Sequence, residues 1–362
     1  MLQTLVQIPS KALFLLALGL AVGTALWNVR ARRRDPELPR SSTPFYLLVG
    51  AWLLLGLRGG SWIPSAGALS GEWKPVPIFS YGVMLGTSMV VGWFVALRLA
   101  KHDGIPSEQA GAVYMWTAVW SIIGARLLYV ITEWKEFASP LDVFLLNKGG
   151  LVAYGGMIGG FCASWYGCHK RKIHLLRWAD VSAPSVVLGT AITRVGCLLY
   201  GCDYGRRAAP DLPWAIRFPP EAPAFHDHVS NFGLDKNALA SLPVHPTQIY
   251  ESLASLALFG LLMYLRRVRK FSGEVFLGWV VGYGVLRSLI EVYRGDADRG
   301  SVGPLSTSQF IGLVSVVAGA VLLFFLLKRY RADPTALRLW EKPLAVAAKP
   351  APQRGPRRKR RR

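Results

Sequence analysis

What most constrains this chain is a series of apolar runs too long for the elements of a soluble core and too continuous for barrel strands. They fall near 12–29, 43–58, 81–100, 112–132, 151–168, 179–200, 247–265, 274–293 and 306–327. A helix crossing a bilayer needs about 20 mostly apolar residues, and only a helix satisfies its own backbone hydrogen bonds in lipid. The expected fold is therefore all-α, a polytopic transmembrane helix bundle. Charged residues make up only 17% of the sequence, against about 25% in soluble domains, so lipid is the expected solvent for most of the 362 residues.

The formal charge of +21 raises the question of nucleic acid. The excess, however, sits in clusters at the ends of apolar runs: Arg30–Arg34, His169–Lys172, Arg266–Lys270 and Lys328–Arg331, with a basic tail from Arg354 to Arg362. That placement fits the positive-inside rule and anionic membrane lipids as partners, and no nucleic-acid partner is expected. With Arg30–Arg34 inside, nine crossings put every strongly basic loop on the cytoplasmic side. The N-terminus and segment 202–246 then lie outside and the C-terminus lies in the cytoplasm. The 202–246 loop, rich in Pro and polar residues, reads as a lid or small outer cap, and 345–362 as a disordered tail. The run at 12–29 lacks a convincing signal-peptidase site and reads as a retained helix. The expected divisions are an extension over 1–80, a membrane core over 81–330 and a basic tail over 331–362.

Ionisable groups within spans are costly, and they mark function more often than packing. Arg126 lies in Gly124-Ala-Arg-Leu-Leu-Tyr129, and Arg194 in Thr193-Arg-Val-Gly-Cys-Leu-Leu-Tyr-Gly-Cys-Asp-Tyr-Gly205. Tyr250 and Glu251 close His245-Pro-Thr-Gln-Ile-Tyr-Glu251, and Arg287, Glu291 and Arg294 follow Tyr283 in Tyr283-Gly-Val-Leu-Arg-Ser-Leu-Ile-Glu-Val-Tyr-Arg294. Arg287 and Glu291 share a helix face at i,i+4, either as a site or as an ion pair that fixes packing. Arginines in separate spans suit a phospholipid head group, because the guanidinium fork donates paired hydrogen bonds to phosphate. The six glycines between Gly149 and Gly160 allow close approach of either a helix or a ligand, and the sequence leaves both open. His245, just before Pro246, is a candidate base or phosphate donor, or a residue that caps the next helix. The four cysteines show no zinc-type double pair, so neither a metal nor another cofactor is expected.

These blocks, in this order, resemble the prolipoprotein diacylglyceryl transferase family. The motifs that carry the resemblance are Tyr81-Gly82, Gly124–Tyr129, Gly149–Gly160, Arg194–Gly205, His245–Glu251 and Tyr283–Arg294, spread from about Tyr81 to Leu327. The resemblance implies a core of seven spanning helices, with the two earlier runs as additions. It implies transfer of the diacylglyceryl group of phosphatidylglycerol to the lipobox cysteine of a preprolipoprotein, at the bacterial inner membrane. Matched position by position, it implies catalytic roles for Tyr81, Arg194 and Arg287, to which His245 is added as the candidate base. Arg126, Tyr154, Gly155, Gly156, Gly205, Tyr250, Glu251, Tyr283, Glu291 and Arg294 are the expected substrate-binding residues. The expected partners are phosphatidylglycerol, the signal peptides of preprolipoproteins and membrane lipids.

The sequence departs from the family signature at two places: Cys197 stands where asparagine is usual, and Cys202 where glutamate is usual. These departures keep alive a related transferase with another acceptor or donor. A non-enzymatic transporter or lipid-binding protein is a third reading, though no internal repeat of the transporter kind is visible. Five residues apart on a regular helix, the two thiols would point away from each other, and only a helix end or loop would let them pair.

Overall fold

The computed structural model describes residues 4–9, 75–137, 150, 152–209, 211–295 and 300–334. Eight α-helices lie among them: α1 (Ser80–His102), α2 (Ser107–Thr132), α3 (Ala153–Lys170), α4 (Leu175–Tyr200), α5 (Pro223–Phe232), α6 (Thr247–Val268), α7 (Glu274–Glu291) and α8 (Thr307–Ala332). Seven are long, and they coincide with the seven apolar runs expected from residue 81 onward. The runs at 12–29 and 43–58 lie outside the described residues. Five helices (α1, α2, α4, α6 and α8) are long and apolar enough to cross a membrane. The other two long helices, α3 and α7, have 18 residues each. The fold class is all-α, and the strands are minor: β1 (Thr4–Pro9) pairs antiparallel with β2 (Pro75–Phe79) just before α1, and β3 (Ser301–Val302) pairs with β4 (Leu305–Ser306) just before α8.

The helices assemble as the pairs α1–α4, α2–α3, α4–α6 and α7–α8, with α4 also touching α3 and α7. Pairing of α2 with α3 uses the glycine-rich segment. A side chain on Gly155 would run into the backbone of Gly124 and the Cβ of Leu128, and one on Gly159 into the carbonyl of Trp120. Small residues let membrane helices approach to backbone contact, where dispersion rather than hydrophobicity holds them. The α7–α8 crossing does the same at Gly284 and Gly312, where an added Cβ on either would meet the other's carbonyl at 3.0 Å.

One end of the bundle is closed by charge. Asp103, beyond the end of α1, accepts from Arg266 (2.7 Å) and Arg269 (2.8 Å) at the end of α6. Asp180 of α4 accepts from the backbone N–H groups of Gly273 (2.8 Å) and Phe276 (2.9 Å), supplying partners to the orphan donors at the start of α7. The opposite end gathers the start of α1, the end of α4, the start of α6, the end of α7 and the start of α8. The described residues of the 202–246 segment sit there as a packed cap. Tyr204, Phe218, Ala222, Ala224 and Val244 form its core, and α5 is held when His228 Nδ1 accepts from the Leu242 N–H at 3.1 Å.

Candidate active site

The sequence ends α4 at Gly201, whose φ of 85° places it in the left-handed region that glycine adopts without steric cost. The chain then turns sharply, with Asp203 at φ 57°, and the first turn of α6 fixes the turn from below. Thr247 Oγ1 donates to the Asp203 carbonyl at 2.8 Å and Gln248 Nε2 to the Cys202 carbonyl at 2.7 Å. Residues 204–206 next run between two neighbours. Gly205 N–H donates to the His245 carbonyl (3.1 Å), and Arg206 N–H to the Tyr293 carbonyl (2.8 Å). A side chain at Gly205 would collide with the His245 backbone, so the requirement for glycine here is steric.

This framework brings charged side chains from α4, α6, α7 and the turn into one alternating series. Arg294 Nη2 donates to Asp203 Oδ1 at 2.6 Å, and Arg194 Nη1 donates to Asp203 Oδ2. Arg194 Nε lies 3.0 Å from Glu251 Oε2, and Arg287 Nη1 lies 3.5 Å from the same oxygen. Arg287 Nη2 pairs with Glu291 Oε2 at 3.0 Å and donates to Ser308 Oγ at 3.3 Å. Tyr283 OH donates to Glu251 Oε1 at 3.1 Å. Glu251 is 1% exposed, which an ionised carboxylate tolerates only with such partners. Asp203 lies beyond the span. Burial pushes its carboxyl up, but the Arg194 and Arg294 guanidinium groups outweigh burial and hold it at about 2. Three guanidinium groups thus meet three carboxylates, and a bound phosphate must compete with those carboxylates for donors.

Tyr81, in the first turn of α1, packs over Gly196, where an added Cβ would lie 3.3 Å from its Cα. It is within electrostatic reach of Arg194, Asp203 and both cysteines. His245 is half-buried beside this series, and its ring nitrogen Nδ1 lies 3.3 Å from Tyr250 OH, which accepts from Trp214 Nε1 at 2.8 Å. Burial and the nearby Arg206 charge push His245 below the usual histidine range, so it is neutral at pH 7. Its side chain does not cap α6, which begins at Thr247 with no side-chain cap.

Other expected residues belong to α2 and α3. Arg126 donates to the Gly150 carbonyl at 3.0 Å, and its guanidinium lies 5.4 Å from the Tyr129 ring and 5.3 Å from the Phe137 ring. It belongs to the α2–α3 half. Tyr154 is 37% exposed at the start of α3. Gly155 and Gly156 face α2 backbone instead of open space. Asp203 and Ser308 were not singled out by sequence. Asp203 lies inside the Arg194–Gly205 motif, but its role depends on a left-handed turn that apolar periodicity does not reveal. Ser308 carries no sequence signal.

A multi-pass helical bundle with a largely buried, mutually paired arginine–carboxylate series beneath a packed cap defines an intramembrane polar site of the kind that handles charged head groups. The family model described as prolipoprotein diacylglyceryl transferase matches residues 70–325. A Clostridium tetani protein named phosphatidylglycerol–prolipoprotein diacylglyceryl transferase is 33% identical over 257 residues, covering 70% of this chain and 94% of that protein. A Clostridium perfringens protein of that name, numbered 2, is 32% identical over 70% of this chain and 92% of its own length. The Finegoldia magna protein of the same name is 30% identical over 68% and 90%. The chain belongs to the prolipoprotein diacylglyceryl transferase family.

Proposed function

We propose that this protein transfers the diacylglyceryl group of phosphatidylglycerol to the lipobox cysteine of preprolipoproteins at the bacterial inner membrane. The incoming thiolate attacks the glyceryl carbon that bears the phosphate. A C–S bond forms as the C–O bond breaks, and glycerol phosphate leaves with the electron pair. The observation that carries this reading is the sharing of Glu251 by Arg194 and Arg287, from two separate helices. Arg194 uses Nη1 and Nε toward Asp203 and Glu251, and its Nη2 is the donor offered to the phosphodiester. Arg287 serves beside it, and both stabilise charge developing on the leaving phosphate, an electrostatic role that grows toward the transition state. Tyr81 and Tyr154 donate hydrogen bonds to the head group. A thiol has a pKa near 8.5 and needs a base or a positive field. Neutral His245 takes its proton in this scheme, with Tyr250 orienting the imidazole. Arg126, Gly155 and Gly156 support the wall formed by α2 and α3.

In the same reading, residues 81–330 form the transferase core, 1–80 an extension and 331–362 a cytoplasmic tail. The N-terminus and the 202–246 cap face outward, where lipobox cysteines and the outer leaflet meet. The test is purified full-length protein with phosphatidylglycerol and a lipobox peptide, read by peptide mass. A diacylglyceryl adduct on the cysteine supports the reading. Folded protein that modifies no peptide would sink it and favour a different acceptor, the alternative suggested by Cys197 and Cys202 at signature positions.

A further inference from the structure

The two cysteines at the end of α4 stand outside the scheme above, yet they lie at its centre. The Gly201 and Cys202 N–H groups both donate to the Cys197 carbonyl, at 2.8 and 3.2 Å. With Gly201 left-handed, this is the helix stop in which the side chains four residues before and one residue after the left-handed position are brought into contact. Cys197 and Cys202 hold those two positions, with Cys202 one residue beyond Gly201. The geometry of the stop reverses the expectation from a regular helix that thiols five apart diverge. Their sulfurs and an Asp203 carboxylate oxygen all lie within 4.8 Å of one another. Both are free thiols; Cys197 is buried and Cys202 is partly exposed.

Two thiols and a carboxylate are also a candidate ligand set for a soft metal ion. That use is disfavoured here, because both Asp203 oxygens are held by arginines, and Arg194 Nη1 also lies 3.6 Å from Cys197 Sγ. A cation would enter a place already faced by two guanidinium groups. Disulfide formation has no such cost, since it brings in no charge and leaves the ion pairs intact.

We propose that Cys197 and Cys202 form a redox-active dithiol that closes to a disulfide by exchange with an accessible disulfide. The Cys202 thiolate attacks the incoming disulfide, forming a mixed disulfide and releasing one thiol. The Cys197 thiolate then attacks the Cys202 sulfur and releases the second. The protein loses two electrons and two protons, and the reagent disulfide is reduced to two thiols. The bond staples the turn that carries Asp203, directly behind Arg194.

The inference is independent of the transferase reading, and its test does not use activity. Full-length protein in detergent is incubated with glutathione disulfide, denatured, alkylated and mapped by peptide mass. The expected result is a single intrachain link between Cys197 and Cys202, reversed by dithiothreitol, with Cys162 and Cys168 alkylated. In Cys197→Ser the reaction is expected to stop at a glutathione adduct on Cys202. Cys197 and Cys202 both alkylated after denaturation would overturn the proposal. So would one zinc ion bound per chain on addition of zinc, with both thiols protected from exchange.

Discussion

Glu251 Oε2 lies 3.0 Å from Arg194 Nε, joining the last two turns of α4 to the first turns of α6. The same oxygen faces Arg287, so one buried carboxylate sets the separation of the two guanidinium groups assigned to the phosphate. Replacing buried Glu251 by Gln leaves two half-buried arginines without their shared charge. Removing one partner of a buried pair costs about 3–5 kcal/mol. Glu251→Gln is expected to lower the unfolding midpoint in detergent by several degrees and to impair transfer, measured by thermal unfolding and by peptide mass.

Arg194 spans Asp203 and Glu251 through two different nitrogens, a geometry that a lysine ammonium cannot reproduce. Arg194→Lys is expected to keep the fold while lowering kcat roughly 100-fold or more, the size seen when one transition-state donor is lost. Initial rates with lipobox peptide, measured well below the variant's unfolding midpoint, check this.

Asp203 makes stability depend on pH in a predictable direction. Its folded pKa, about 2, lies below the unfolded value near 3.9. The folded state therefore binds fewer protons, and the stabilisation is complete above about pH 4. It is lost as pH falls through the folded pKa. Asp203→Asn should be less stable than wild type at pH 7, and its stability should fall less between pH 4 and 2. Unfolding midpoints across that range measure both.

His245 gives the activity a pH signature. Burial and Arg206 hold it below the ordinary histidine range, so the acid limb of the kcat/KM profile should fall below pH 6.5, the ordinary histidine value. Protonation on acidification removes the base. His245→Ala should lower kcat and abolish that limb. A full-rate variant with an unchanged profile would contradict the assignment.

Gly155 tests packing against ligand contact. Its Cβ position is filled by Gly124 and Leu128, so Gly155→Val must push α2 and α3 apart, at a cost of about 1–3 kcal/mol or more. The expected outcome is lower stability in detergent. A variant of normal stability with only a raised KM would instead place Gly155 against substrate.

The seven long helices were legible because lipid demands continuous apolar runs, and their ends were marked by basic clusters such as Arg266–Lys270. Glycines 155 and 156 were visible but ambiguous, since close approach serves helices and ligands alike. The proximity of Arg194 and Arg287 followed from reading arginines in separate spans as one head-group site, whereas Glu251, read as a substrate contact, is the carboxylate they share. The partners of Arg126, the Gly150 carbonyl and the Tyr129 and Phe137 rings, did not follow, because no sequence spacing says which helices pair. The dithiol geometry was hidden for a local reason. Residue spacing on an ideal helix says nothing of the left-handed turn at Gly201 that folds Cys202 back onto Cys197.

In the proposed reaction Arg194 and Arg287 grip one lipid phosphate. Phosphorus NMR of phosphatidylglycerol titrated with purified protein tests it most directly. Wild type should shift or broaden the phosphodiester resonance, and Arg194→Gln and Arg287→Gln, each still folded, should each abolish the effect. Folded variants that perturb the phosphate resonance as wild type does would contradict the account.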